Sequence, residues 1–227
     1  MDAVIVTGGS SGLGAAVVDA VIKAGGQPVV IDRQAPAREG VPWIECDLAD
    51  TRAAERATRE AIAAVDATVS GVVTAAGFDV PGTLLDVPGE TWDRIVAVDL
   101  LATAAVVRAA LPALKESHGT VVTVASTLGI KAVSDATAYC AAKFGVVGFT
   151  RALAAELAGE VGVTLVIPGG MRTRFFDERD DRYKPGPDAL LNDPCNVADA
   201  ILFALQQPAG CAVRELVIAA ETETSYP

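Results

Sequence analysis

The 227 residues are 51% apolar and 21% charged, a balance that supports a large buried core and excludes a disordered chain. Eighteen basic and 29 acidic residues leave a net charge of −11, which argues against a nucleic-acid or anionic-membrane partner. The single histidine, His118, excludes HExxH zinc chemistry, allows a Ser-His-Asp triad only if it is itself a member, and leaves no metal site to expect.

Short β-branched runs alternate with longer helical patterns. Strands are predicted at 3–7, 28–32, 43–46, 69–75, 120–125, 163–167 and 215–219. Helices are predicted near 12–25, 50–64, 90–116, 136–159 and 196–206. Several strands are continuously apolar, as parallel strands covered on both faces are. The β-α-β order predicts one α/β domain over 1–227: a doubly wound parallel sheet of about seven strands with helices on both faces. Met1-Asp2 leads straight into Ala3-Val4-Ile5-Val6 with no basic region, so no secretory leader is expected. No apolar run approaches the ~18 residues of a membrane helix, and a cytoplasmic protein is expected. Cys46, Cys140, Cys195 and Cys211 form no CxxC and read as small buried apolar residues.

The stretch 171–194 breaks the alternation. It is dense in charge from Arg172 to Lys184, followed by Pro185-Gly186-Pro187. A connection this long reads as a surface loop or as a lid over a site, with Phe175 and Phe176 able to close over a ligand.

Thr7-Gly8-Gly9-Ser10-Ser11-Gly12-Leu13-Gly14 follows the first strand and opens the first helix. Glycines let the backbone approach a pyrophosphate, and the helix N-terminus offers it free N–H groups. Asp32, at the end of the second strand, suits the two hydroxyls of an adenosine ribose and repels a 2′-phosphate, which favours NAD over NADP. Arg33 beside it pulls the other way, toward a phosphate.

Tyr139 and Lys143 stand at i and i+4 and share a helix face. A phenol titrates near ~10 unperturbed, and a neighbouring ammonium favours its phenolate. Ser126, thirteen residues before Tyr139, ends the fifth strand and can hold a substrate oxygen.

The TGxxxGxG turn together with Ser126 and YxxxK resembles the classical short-chain dehydrogenase/reductase family, over nearly the whole length. The resemblance implies a Rossmann fold and an oxidoreductase moving a hydride between a nicotinamide cofactor and a secondary alcohol or carbonyl. Asp47-Leu48 looks like the family's adenine-side acidic position, and Thr74-Ala75-Ala76-Gly77 like its strand-four motif. Pro168-Gly169-Gly170-Met171-Arg172-Thr173 looks like the PGxxxT segment beside the nicotinamide. By resemblance Tyr139 is the acid/base, Lys143 orients the ribose and tunes Tyr139, and Ser126 positions the reacting oxygen. Two positions depart from the pattern. Asp99 stands where the family usually has the asparagine of its proton relay, and Ala75 where asparagine is frequent; aspartate accepts a hydrogen bond but donates none.

Pocket walls are expected from Asp79, Val80, Thr127, Leu128 and Gly170, with Lys131 a candidate carboxylate partner. His118 reads as a helix-end residue near the dipole. Ala141, Gly145, Gly148 and Ala152 form a small-residue stripe on the Tyr139 helix; with the family's habit, it predicts a homodimer or homotetramer. A non-catalytic dinucleotide-binding sensor would keep the glycine turn and lose the triad. A sugar-nucleotide epimerase would carry TGxxGxxG and a larger C-terminal part.

Overall fold

The computed structural model describes residues 2–225. Strand β1 (Ala3–Thr7) is followed by α1 (Gly12–Lys23), β2 (Gln27–Asp32), β3 (Trp43–Glu45), α2 (Thr51–Ala63) and β4 (Val69–Thr74). Then come α3 (Gly89–Val96), α4 (Ala102–Ser117), β5 (Thr120–Val124), α5 (Thr137–Glu156), β6 (Gly162–Pro168), α6 (Pro194–Leu205) and β7 (Glu215–Ile218). All seven strands lie in one parallel sheet in the order β3-β2-β1-β4-β5-β6-β7. The expected α/β architecture is present, with strand ends displaced by a residue or so.

The period-two pleat divides the core into two layers. Ala3 and Ile5 of β1 join Ile31, α2, α4 and Leu153 of α5 on one face. Val4 and Val6 join Val30, α1 and α6 on the other. Each β1 residue is therefore buried whichever way it points, which is why its sequence is continuously apolar. Chain order reverses between β1 and β4, and a cleft opens there beyond the carboxyl ends of the strands.

The single helix expected at 90–116 is two helices. A five-residue π-helical turn, Ala97–Leu101, separates α3 from α4 and carries Asp99 into the interior. A buried side chain that bonds outside its own helix explains the break, which apolar periodicity does not register. By length and composition Gly89–Ser117 would span a membrane, yet α4 packs its buried face on α2 and the sheet. His118 ends α4 in the left-handed conformation (φ 50°), its N–H bonded to the Leu114 carbonyl. The cysteine expectation holds for Cys46 and Cys140 only. Cys195 and Cys211 are exposed, because the first opens α6 and the second lies in the loop between α6 and β7, outside the packed layers.

Candidate active site

The glycine-rich turn is shaped by backbone crowding. Gly8 adopts φ +72°, and a Cβ there would lie 2.7 Å from the Ala76 Cα. A Cβ on Gly14 would run into the Gly8 carbonyl oxygen. Ser11 precedes α1 without capping it by side chain, and no acidic residue occupies the first turn, so the amides of Gly12, Leu13 and Gly14 stay free at the cleft. Thr7 Oγ1 accepts from the Ala76 amide at 3.3 Å and ties this turn to the Ala75-Ala76-Gly77 segment.

Asp32 lies at the cleft end of β2. Its Oδ2 accepts from the Ser10 amide (3.1 Å) and hydroxyl (2.6 Å), and Oδ1 from the Gln34 amide (3.2 Å). These bonds fix the carboxylate against the glycine turn. Arg33 is exposed at the same wall. Leu48 is buried beside the exposed Asp47, both of whose oxygens accept from Arg94 Nη2. Burial is the largest single influence on the Asp47 carboxyl and raises it, but Arg94, the Ala49 amide and Arg33 together outweigh it and hold it below its ordinary value.

Ser126, Tyr139 and Lys143 converge at the cleft floor, all three buried. Ser126 leaves the end of β5, where its Oγ accepts from the Leu128 amide at 3.1 Å. Tyr139 and Lys143 come from one face of α5, with Lys143 Nζ 5.4 Å from the Tyr139 ring centre. Lys143 Nζ donates to the Val124 carbonyl (3.2 Å) and lies 3.3 Å from Asp99 Oδ2. The other Asp99 oxygen accepts from the Phe78 amide at 3.0 Å. A Cβ on Gly77 would come within 2.9 Å of Asp99 Oδ2, so the strand-four glycine makes room for this ion pair.

Burial pushes the Asp99 carboxyl up, and Lys143 opposes it. Burial alone would lower Lys143, but Asp99 and Tyr139 outweigh it and hold the ammonium charged. A depressed Tyr139 is expected from Lys143 together with a positively charged cofactor; the protein's own groups do not produce it. Burial raises the phenol above its ordinary value; Lys143 and Ser126 pull it down, while Asp99 and Asp79 push it up. A neutral asparagine at 99 would not add that opposing charge.

The cleft has a volume of about 1170 Å³. Pro168, Gly169, Gly170, Met171 and Thr173 form its far wall, and the Thr173 side chain comes within 3.5 Å of a Cβ position on Gly12. Residues 171–193 cross the cleft as two short 3₁₀ turns, Arg174–Phe176 and Asp181–Tyr183, closed by a bridge between Met171 and Asn192. The Phe175 ring lies 5.7 Å from the Tyr139 ring. Asp79, Val80, Thr127, Leu128 and Phe176 all line the cleft as well. Lys131 does not. Its Nζ donates to the Thr224 carbonyl at 2.8 Å, because the chain end folds back over it.

That chain end was not foreseen. Glu223 accepts from the Gly170 amide, and Ser225 bonds Thr127 at 2.6 Å, so 223–225 form a wall of the cleft. Nothing in their sequence marks them apart from position after the last strand. Arg179 was not foreseen either. It stands among Arg172, Arg174 and Arg182, yet it alone of these pairs with Asp79, at 2.9 Å.

The free cradle of amides, a carboxylate fixed at the end of β2, and a serine, tyrosine and lysine meeting at the cleft floor suit a dinucleotide and an alcohol or carbonyl. The comparisons agree. Residues 2–184 match the family model for short chain dehydrogenases. The chain is 30% identical to an L-fucose dehydrogenase of Mus musculus, across 98% of this chain and 89% of that protein. It is 29% identical to 2-(S)-hydroxypropyl-CoM dehydrogenase 3 of Xanthobacter autotrophicus, across 92% and 91%. A 3-ketoacyl-(acyl-carrier-protein) reductase from Brucella melitensis, complexed with NADH, superposes with a TM-score of 0.84 at 25% identity, covering 97% of each chain. With the match spanning most of the chain and the cleft built as its motifs require, this protein belongs to the short-chain dehydrogenases, oxidoreductases that act on alcohol and carbonyl groups.

Proposed function

We propose that the protein interconverts a secondary alcohol and its carbonyl with NAD, using Ser126, Tyr139 and Lys143. The convergence of these three buried side chains beneath a glycine-rich dinucleotide cradle carries the reading. Gly12, with only the Thr173 side chain near its Cβ position at 3.5 Å, opens onto the cleft and fits a pyrophosphate lying close to the backbone. Asp32 and Ser10 would hold the ribose hydroxyls, and Asp47 and Leu48 would flank the adenine. Ala75 to Gly77 and Pro168 to Thr173 would flank the nicotinamide half. A nicotinamide held there would supply the acceptor for the hydride that leaves the carbinol carbon.

Ser126 holds the substrate hydroxyl. Tyr139, as phenolate, takes its proton while the carbinol C–H and O–H bonds give way to C=O. Lys143 stabilises that phenolate by charge and would orient the adjoining ribose. In reduction the neutral phenol returns the proton. Asp99 holds Lys143 in place and charged, at the cost of opposing the phenolate.

NAD is favoured over NADP because the Asp32 carboxylate occupies the ground a 2′-phosphate would need. The 171–194 segment acts as the lid, within a single domain. Ala141, Gly148 and Ala152 are exposed on α5 beside Phe144 and Leu101, which suits a second copy packing there. Gly145 of the same stripe is covered by Leu100 of its own chain. The location is cytoplasmic. Screening NAD-linked oxidation across secondary alcohols tests the reading. Turnover of a subset supports it. Tight cofactor binding with no turnover of any alcohol or ketone favours the sensor alternative and overturns it.

A further inference from the structure

The segment after β7 turns back onto the cleft and ties together two loops that leave different strands. The Glu223 amide donates to the Ala220 carbonyl at 2.9 Å, and residues 223–225 then line the cleft. One end of the tie is the base of the lid. Glu223 Oε2 accepts from the Gly170 amide at 2.8 Å, and the Gly170 carbonyl accepts from the Asn192 amide at 2.9 Å. Gly170, the residue just before the lid, is thereby held between Glu223 and the lid's far end. A Cβ on Gly169 would lie 2.6 Å from the same Glu223 oxygen, so that glycine leaves the space the carboxylate occupies.

The other end is the loop of Ser126. Ser126 caps the short turn Thr127–Gly129 by accepting from the Leu128 amide, and Thr127 opens that turn. The Thr127 side chain is buried, and its hydroxyl meets that of Ser225 at 2.6 Å. Lys131 of the same loop donates to the Thr224 carbonyl. Glu223 Oε1 accepts from both the amide (3.0 Å) and the hydroxyl (2.7 Å) of Ser225. A carboxylate only accepts, so the Ser225 proton goes to Glu223 and Thr127 must donate to Ser225. The bonds therefore run from Thr127 to Ser225 to Glu223, with Gly170 donating to the same carboxylate. Burial pushes the Glu223 carboxyl up, but the Ser225 hydroxyl and the amides of Gly170, Ser225 and Thr224 outweigh it and hold it below its ordinary value. An ionised acceptor makes the stronger kind of hydrogen bond, and this chain of bonds is complete only with both loops in place.

We propose that Glu223 and Ser225 are positioning residues of the reaction, clamping the Ser126 loop to the base of the lid and so fixing the serine that holds the substrate oxygen. This rests on the dehydrogenase reading of the same cleft. The clamp joins the loops after β5 and β6, whereas the glycine turn follows β1, two strands away from β5 in the sheet. Turnover should therefore depend on the clamp far more than cofactor affinity does.

The test measures kcat and KM for one oxidised alcohol, the NAD dissociation constant, and amide hydrogen exchange in peptides spanning 126–131, 168–173 and 7–14. The proteins are wild type, Glu223→Ala, Ser225→Ala and Ser225→Thr. The expected result is a loss of kcat of about tenfold or more in Glu223→Ala and severalfold in Ser225→Ala, on the order of what a misplaced reacting group costs. Ser225→Thr, which keeps the hydroxyl, should stay near wild type, and NAD affinity should stay within severalfold throughout. Exchange should quicken in 126–131 and 168–173 of the alanine variants and hold steady in 7–14. Ser225→Ala removes a single oxygen, which guards against misfolding of Glu223→Ala. Unchanged kcat in both alanine variants overturns the positioning role and leaves the dehydrogenase reading standing. NAD affinity falling in step with kcat, or quicker exchange in 7–14 as well, overturns it in favour of a general stabilising contact. No oxidation of any alcohol by wild type overturns the dehydrogenase reading; quicker exchange confined to 126–131 and 168–173 then still upholds the clamp, and unchanged exchange overturns both.

Discussion

Replacing Asp99 by asparagine removes one buried negative charge while keeping an oxygen for the Phe78 amide. Asp99 Oδ2 lies 3.3 Å from Lys143 Nζ, and Nζ lies 5.4 Å from the Tyr139 ring centre. The carboxylate is therefore within roughly 9 Å of the Tyr139 ring centre, where at an effective dielectric constant of about 20 a unit charge contributes on the order of 2 kcal/mol. The sign is set by which form is charged. Asp99 opposes the phenolate, so its removal lowers the phenol pKa, and alcohol oxidation needs the phenolate. Loss of the partner charge also relaxes Lys143 downward, which offsets part of the gain. Asp99→Asn should shift the kcat/KM–pH profile for oxidation downward. Recording that profile for both proteins with one alcohol is the assay. An unchanged profile would show that Asp99 does not couple to Tyr139, and an upward shift that Asp99 acts chiefly by keeping Lys143 charged.

Asp32→Ala should narrow the preference for NAD over NADP by at least about tenfold, read as the ratio of kcat/KM values, because the repelling carboxylate is gone; an unaltered ratio would assign the preference to other residues. Burial raises Asp79 to about 6, against the pull of Arg179. Below that pH the Asp79–Arg179 ion pair loses its negative member, so Trp92, in the same apolar cluster as Phe175 and Tyr139, should report a lid transition near pH 6 in a Trp43→Phe background and none with Asp79→Asn added. Because this folded pKa exceeds the ordinary 3.8, the stability Asp79 contributes is present below the unfolded value and lost as pH rises through about 6. Asp79→Asn should therefore flatten the decline in stability between those limits, as measured by urea unfolding at stepped pH. Light scattering should give a dimer or tetramer, reduced toward the 23.2 kDa monomer by Phe144→Asp or Leu101→Asp; a wild-type monomer would refute the α5 interface.

The sheet and its helices were legible because burial on both faces writes itself as unbroken apolar strands, as in β1, and because glycines mark the turn into α1. The candidate triad was legible because two of its members share one helix face and the third ends a strand. The π-turn at Asp99 was not, since a continuous apolar helix pattern runs across it. The opposing effect of Asp99 and Asp79 on Tyr139 was only half legible. Asp99 could be inferred from its position, but Asp79 acts through a fold that brings it to the tyrosine from another loop. The roles of Arg179 and Glu223 depend on long-range docking of loops, which carries no local periodicity or turn signature.

In the proposed reaction Tyr139 moves the proton. Tyr139→Phe removes one oxygen and little volume, and leaves the glycine turn and Asp32 untouched. The decisive measurement is NAD-linked turnover of one established alcohol substrate by this variant, alongside its cofactor affinity from fluorescence titration. The expected result is loss of kcat by at least about a thousandfold with cofactor affinity within severalfold of wild type. Retained turnover would exclude Tyr139 as the proton-transferring group.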